Sequence, residues 1–591
     1  FYKDIIKDVL SACLLLFMKQ ILLGIAPGTL FHKGVHMRVT KRDWGSLYET
    51  DVLILRTGAS GMGAALKAAE KHADVLMLGK GTLESSGSLG GGNDHFMAVL
   101  DTDEAYDNVE SFVDFYMKSA YGYRREQLAQ WHDAFAPCLA VLDEVGTEFK
   151  PGEGGGRYRS VGFGQPGAWW LHIVNGRTIK RNLAKKIRRL DGVSVLDDIQ
   201  ITRMFARDGK VTGCMGFNVL SGETVAVACK TAVTCLGWHA QRAANNSTNN
   251  PFNCWFTPFT TGSYFTQAYH IGAAVINADI SGRTTMLPKG WGAPGMNGIN
   301  NMGGHELNAL GERFMGKYDP MWENGKRRNQ IMGTEQEQLE GYGPPFYMDM
   351  RHFSPEDAYH LQYVLMPADK ETYLDYCAAR GIDFRATPLE VEIGEMALSG
   401  MLLADERMET TVKGLFAGCN FTSFSGAMCG GYVAMNHAAD DAAKYDMASL
   451  DEGEIRAWKE KDEAPLRNGA PNALTCTDFE NPIRQVMDYY AGFRRNMPGM
   501  KLALEKLELI ASRREKVKAK NLHELMRLHE AFDLLELCRM HLDACLQRRE
   551  SGRGMYKLAD YPDLDPALDK GLVVRLENGS PAYSWLEKQA L

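Results

Sequence analysis

The pattern of apolar and polar positions changes period most clearly near residue 55. Asp51-Val52-Leu53-Ile54-Leu55 reads as a buried strand, Thr57 to Gly63 break it with small residues, and an alanine-rich amphipathic segment follows. A second apolar run, Asp74 to Gly79, completes a strand, turn, helix, strand order. Further on, Tyr106, Val109, Phe112, Val113 and Tyr116 recur at helical spacing within 103–145, and a basic helix is expected from Thr178 to Arg189. Val193–Leu196, Ile199–Arg207 and Val211–Asn218 predict a meander, Thr224–Lys230 another strand, and Thr231–Gly237 a further one. Helical periodicity dominates from Asn481 onward. The chain is therefore expected to be α/β with a helical C-terminal part.

The turn after Leu55 is where chemistry enters. Small residues there let backbone approach a pyrophosphate, which rests against the N–H groups and positive end of the following helix. A G-x-G-x-x-G overlay places Arg56 at the first glycine, with Gly58 and Gly61 at the second and third. The second strand ends on Gly79 where an acidic ribose ligand is usual, with Lys80 next. Gly58, Ala59, Ser60, Gly61 and Lys80 are the first candidate cofactor contacts. The glycine-dense loop Glu84 to His95 adds Ser86, Gly87, Ser88, Gly91, Gly92 and Asn93.

Composition narrows the classes. With 591 residues the chain can form two or three domains, and a net charge of -8 with mixed signs argues against a nucleic-acid surface. Twelve cysteines are scattered without a C-x-x-C pair, so neither zinc nor an iron–sulfur cluster is expected in this chain. Residues 9–26 are the most apolar stretch, but Lys19 and Gln20 interrupt it below the length of a membrane span. A helix docking on a membrane or a partner is expected there, within a cytoplasmic protein.

The loop at Glu84–His95 resembles flavoprotein subunits of the fumarate reductase and succinate dehydrogenase superfamily, most closely the adenylylsulfate reductase alpha subunit. Trp255-Phe256-Thr257-Pro258 with Gly262-Ser263-Tyr264, Pro288 to Gly295, Asn308 to Met315, Gly414 to Asn420, Ser425 to Gly431, and Arg548 to Gly554 with Asp560-Tyr561-Pro562 continue the likeness, over about residues 49 to 591. The resemblance implies an FAD-binding Rossmann-like domain with an inserted α+β capping domain and a C-terminal helical domain. The implied boundaries are 1–48 extension, 49–260 and 385–447 FAD-binding, 261–384 capping and 448–591 helical. It also implies Gly237, Asn420, Ser425 and Gly426 as flavin contacts, and Trp255 near the flavin ring. FAD is expected to be non-covalent, since Ser86 and Gly87 stand where dehydrogenase relatives carry a flavin-linking histidine.

The same resemblance implies a small-molecule substrate, an iron–sulfur (ferredoxin-like) partner subunit, and a proton-donating arginine whose position falls on Arg328, with Arg327 beside it. The family's dicarboxylate clamp is replaced, by Glu395 and by Ser425 to Cys429. The adenylylsulfate site differs too, with Met97 in place of an asparagine and Arg283 the nearest arginine to the Gly290-Trp291-Gly292 loop. Three readings stay open: an FAD subunit passing electrons between a substrate at flavin N5 and an iron–sulfur partner, a fumarate reductase-like enoate reductase, and a non-catalytic structural flavoprotein subunit.

Overall fold

A computed structural model describes residues 38–589, apart from 238, 246–247, 255, 283–285, 292–295, 395–396 and 399 and the side chains of 296, 297 and 397. Residues 9–26, Trp255, Arg283 and Glu395 lie outside the described residues.

The first layer is an eight-stranded sheet. Its order is Val193–Leu196, Val75–Leu78, Gly45–Leu55, Thr224–Thr234, Lys210–Asn218, Ile199–Arg207, with Arg38–Arg42 on Gly45–Leu55 and Leu415–Ala417 on Thr224–Thr234. The strands from Val193–Leu196 to Thr224–Thr234 run parallel, and Leu415–Ala417 joins them in the same sense. Val52 to Leu55 are completely buried, which is why this end of the strand is a continuous apolar run rather than an alternating one.

Helices Ala59–Glu70 and Ser423–Ala442 pack on that sheet and on each other. A Cβ on Gly63 would lie 1.9 Å from Met428 O and one on Gly431 1.8 Å from Ser60 O, so only glycine permits this approach. The contact brings the start of each helix to the same edge of the sheet.

The second layer is a four-stranded antiparallel sheet, Met286–Pro288, Leu389–Ile393, Phe346–Asp349, His305–Leu307, with helices Arg327–Leu339 and Thr372–Arg380. It has its own core, including Phe314, Met348, Tyr373 and Phe384. Helices Glu452–Arg467, Cys476–Tyr490, Met497–Ala511 and Leu522–Gln547 form the third part. Among the described residues no helix is long and apolar enough to cross a membrane.

Several elements depart from the periodicity reading. Val193–Leu196 pairs parallel with Val75–Leu78 and is not part of the meander. Thr224–Thr234 is one strand rather than two, because Gly45–Leu55 supplies a partner along most of its length. The helical stretch 103–145 divides into Val109–Ser119, Arg125–Asp133 and Phe135–Glu144, with Gly122 at φ +88° between the first two. Among the described residues after Gln547 the chain forms only one short 3-10 turn, Pro566–Leu568, and no further α-helix. Gly571–Glu577 and Ser580–Leu586 form a hairpin, and its first strand pairs with Val275–Ile276. Its turn, Asn578-Gly579, has φ +50° and +78°, the two positive values that a two-residue type I′ connection requires.

Candidate active site

The dinucleotide turn is built by the end of Gly45–Leu55 and the start of Ala59–Glu70. Gly58 caps that helix without a side-chain hydrogen bond. Met62 N donates to Gly58 O at 2.9 Å, which leaves the N–H groups of Ala59, Ser60 and Gly61 outside the helical ladder. A Cβ on Gly58 would meet nothing within 4 Å, so the space in front of those donors is open. On one side Gly87, at φ +77°, comes so near that its Cβ would lie 3.0 Å from Gly58 Cα. Thr57 Oγ1 and Ser86 Oγ, 2.6 Å apart, join the same loop to the turn. This is a cradle for a diphosphate, open in front and closed by backbone at the side.

The other candidate contacts gather along this edge to different degrees. Ser60 Oγ donates to Gly418 O at 2.6 Å, tying the turn to the strand before Asn420. The Asn420 amide is already engaged, its Oδ1 accepting from Tyr264 Oη and its Nδ2 donating to Leu402 O, both at 2.8 Å. Ser425, fully buried, lies 3.0 Å from Ser423 Oγ, and Ser423 Oγ accepts from Gly426 N. Ser88 and Gly91 are exposed, whereas Gly92 is buried with its Cβ position 2.2 Å from Ala368 O of the second layer. Asn93 Oδ1 accepts from His95 N at 3.0 Å, and Gly237 turns at φ +77° against Thr260. Lys80 stands apart from the cradle: its Nζ reaches Glu530 Oε1 and Phe259 O, both at 2.5 Å. Burial lowers its pKa to about 8 despite Glu530.

Arg327 and Arg328 open the helix Arg327–Leu339, about 100° apart around its axis. They go different ways. Arg328 faces the C-terminal segment, with its Nη2 3.6 Å from a Cβ position at Gly552 and its Nε without a hydrogen bond. Burial, then the nearby Arg553, lowers its pKa. Arg327 instead lies 4.2 Å over the Phe163 ring, and burial lowers its pKa to about 10.

Arg327 is one end of a row of stacked groups. Phe163 packs 5.1 Å from Trp170, and Trp170 stacks on His95 at 3.8 Å. His95 Nδ1 is in turn 2.5 Å from Asp94 Oδ1. His239, two residues past Gly237, stacks on Phe256 at 4.3 Å. Burial first and Arg327 second push its pKa down to about 3, so the imidazole is neutral at physiological pH. Asp369, beneath the loop at Gly91 and Gly92, has its pKa raised well above the usual range by burial and then by Asp94. The row sets a delocalised cation and an Asp94–His95 pair along one seam between the two layers, and His239 adds a neutral imidazole near Arg327. Such groups can hold an anion and move a proton.

Sequence reasoning gave the proton-donor role to Arg328, named Arg327 only as its neighbour, and gave no role to His239 or the Asp94–His95 pair. The dipeptide Asp94-His95 closes the glycine-dense loop and was available as a signal. Nothing in the local pattern singles out His239.

Comparison with known sequences decides the family. The FAD binding domain family matches residues 51–462, and the fumarate reductase flavoprotein C-terminal family matches residues 480–585. The chain belongs to the FAD-binding flavoprotein family. It is an FAD-dependent oxidoreductase, and the cradle at Gly58 fits the diphosphate of that cofactor. One subunit of the CoM/CoB fumarate reductase of Methanothermobacter marburgensis is 24% identical over 568 residues, covering 89% of this chain and 97% of that protein. An uncharacterised FAD-dependent oxidoreductase of Methanocaldococcus jannaschii is 23% identical, covering 91% of this chain and 98% of its own. In fold, the chain is similar to adenylylsulfate reductase from Archaeoglobus fulgidus, with a TM-score of 0.81, 19% identity, and 94% and 98% of the two chains covered.

Proposed function

We propose that this chain is the flavoprotein subunit of a heteromeric reductase in which Arg327 holds an anionic substrate against non-covalent FAD and an iron–sulfur partner exchanges electrons with it. Bound FAD supplies two-electron chemistry at its ring and one-electron exchange at its exposed edge. The protein's own part is binding, orientation and proton control. Arg327 is the carrying observation. Its guanidinium lies over an aromatic ring at the seam between the FAD-binding layer and the second layer, beside a neutral histidine. A planar cation in that setting recognises a carboxylate or an oxyanion of sulfur or phosphorus with two parallel hydrogen bonds.

The partner follows from electron supply. Among the described residues no group of His, Cys, Asp or Glu is placed to hold a metal ion, and the proposal assigns the cluster to a partner chain. A relative named as one subunit of a fumarate reductase supports the same organisation.

The test starts from the protein reduced anaerobically with dithionite. Flavin reoxidation is followed after mixing with fumarate, with adenylylsulfate, or with neither. Faster reoxidation by one anion, lost in Arg327→Gln and retained in Arg328→Gln, supports the proposal. Loss confined to Arg328→Gln would move the substrate site to the C-terminal segment, and reoxidation by no small anion would favour a non-catalytic role. Denaturation should release yellow chromophore into the supernatant.

A further inference from the structure

Arg56 occupies a position where the turn favours glycine. Its φ is +92°, in the left-handed region that a side chain other than glycine enters with strain. Backbone conformation does not explain a long cation here, buried to 9% exposure.

The surroundings of Arg56 give it a different reason. Its backbone N donates to Leu78 O at 2.9 Å, and Nη1 donates to Ile199 O at 3.0 Å. Ile199 N donates in turn to Gly79 O at 2.6 Å. The guanidinium therefore stands at the C-terminal end of Val75–Leu78, beyond the diphosphate cradle, where a dinucleotide's adenosine ribose lies in this class of fold. Among the described residues Arg56 forms no ion pair. Glu530 is nearby but is held by Lys80, Arg242 and Arg527, and Asp533 accepts from Thr266 Oγ1 at 3.1 Å. The remaining donors of the fork are uncommitted.

Gly79 supplies the complementary observation. A Cβ there would sit 2.6 Å from Gly81 O and 2.9 Å from Thr57 Oγ1, so the usual acidic ribose ligand cannot be built at this position. Gly81, two residues on, has open space in front of it, with nothing within 4 Å of a Cβ. Both changes fall at the same, C-terminal end of this parallel strand pair, where an acceptor is lost and a donor is gained.

We propose that Arg56 anchors the adenosine half of FAD, donating hydrogen bonds to its ribose oxygens or the adjoining phosphate in place of the missing acid, and so sets the preference for FAD over FMN. The inference rests on the family's FAD site and is independent of the substrate reading above.

The test uses apoprotein and flavin fluorescence quenching, and needs no turnover. For the wild type, FAD should bind at least tenfold more tightly than FMN, and ADP should compete with FAD. In Arg56→Met, FAD affinity should fall at least tenfold while FMN affinity stays within twofold, and competition by ADP should vanish. Arg56→Gly should show the same loss of selectivity with an apoprotein melting temperature equal to or above the wild type, because the glycine relieves the positive φ. A parallel loss of FAD and FMN affinity, an unchanged FAD to FMN ratio, or failure of both variants to keep a cooperative melting transition would overturn the proposal.

Discussion

Two clusters with buried cations border the 239–259 segment of the FAD-binding layer, and they are built on different terms. Around Glu480 and Glu530, Arg242 shares both carboxylates, Arg527 reaches both, and Arg484 and Lys80 take one each. Arg242 and Glu530 are both completely buried. At the seam between the layers, Arg327 lies instead over Phe163 and faces a histidine that burial keeps neutral. Carboxylates satisfy the first cluster from within the chain, and its work is to tie Cys476–Tyr490 and Leu522–Gln547 to the FAD-binding layer. The second sets its cation over an aromatic ring at the seam between the layers. The groups set against each cation distinguish the two clusters more reliably than burial does.

Removing the centre of the carboxylate-rich cluster is the strongest way to break this comparison. Arg242→Ala leaves two buried carboxylates short of a partner and should cost about 3–5 kcal/mol of stability, measured by denaturant unfolding. A loss below about 1 kcal/mol would mean the cluster is not the tie between these helices. Arg327→Gln should leave the melting temperature nearly unchanged but lower kcat/KM about a hundredfold, or about 2.7 kcal/mol, with Arg328→Gln affecting it less than about tenfold. Equal losses would erase the distinction between the two neighbours.

A third change sharpens the comparison with a carboxylate that has an amide rather than a cation for its partner. Glu306 is fully buried, accepts from Asn300 Nδ2 at 3.2 Å, and leaves Oε2 without a hydrogen bond. Burial and then Glu323 raise its pKa from 4.5 to about 8. The folded state therefore holds this proton more tightly than the unfolded chain. The stability that goes with it is complete below pH 4.5 and is lost as pH rises through 8. Glu306→Gln should raise stability at about pH 8.5 by about 1–2 kcal/mol and change it little at about pH 4.5, as thermal melts at both values would record. The smallest effect belongs to a pair in contact with water. Lys71 and Asp440 meet at 2.8 Å with side chains 30% and 49% exposed, and Lys71→Ala should shift stability by less than about 0.5 kcal/mol.

Much of the FAD-binding layer was legible because its signals are local. The apolar run ending at Leu55, the small residues after it and the alanine-rich helix carry their meaning within a short stretch of chain, and the structure forms them in that order. The hairpin at the C-terminus had an equally local sign in Asn578-Gly579, and it was overridden by the helical periodicity before it. The site at the seam was harder to see. His239 reaches forward along the chain to Phe256, and Phe163 meets Arg327 from a different layer. Glycine spacing does not record such distances.

The sequence by itself determined the strand ending at Leu55, the dinucleotide turn, the helix after it and the positions where only glycine allows two backbones to meet, because those depend on local conformation and on the absence of a Cβ. Tertiary structure alone decided which of two adjacent arginines enters the seam. Residues 327 and 328 differ by about 100° around one helix axis, so the packing of Arg327–Leu339 against the FAD-binding layer, and not the identity of either residue, sends one guanidinium over Phe163 and the other toward Gly552.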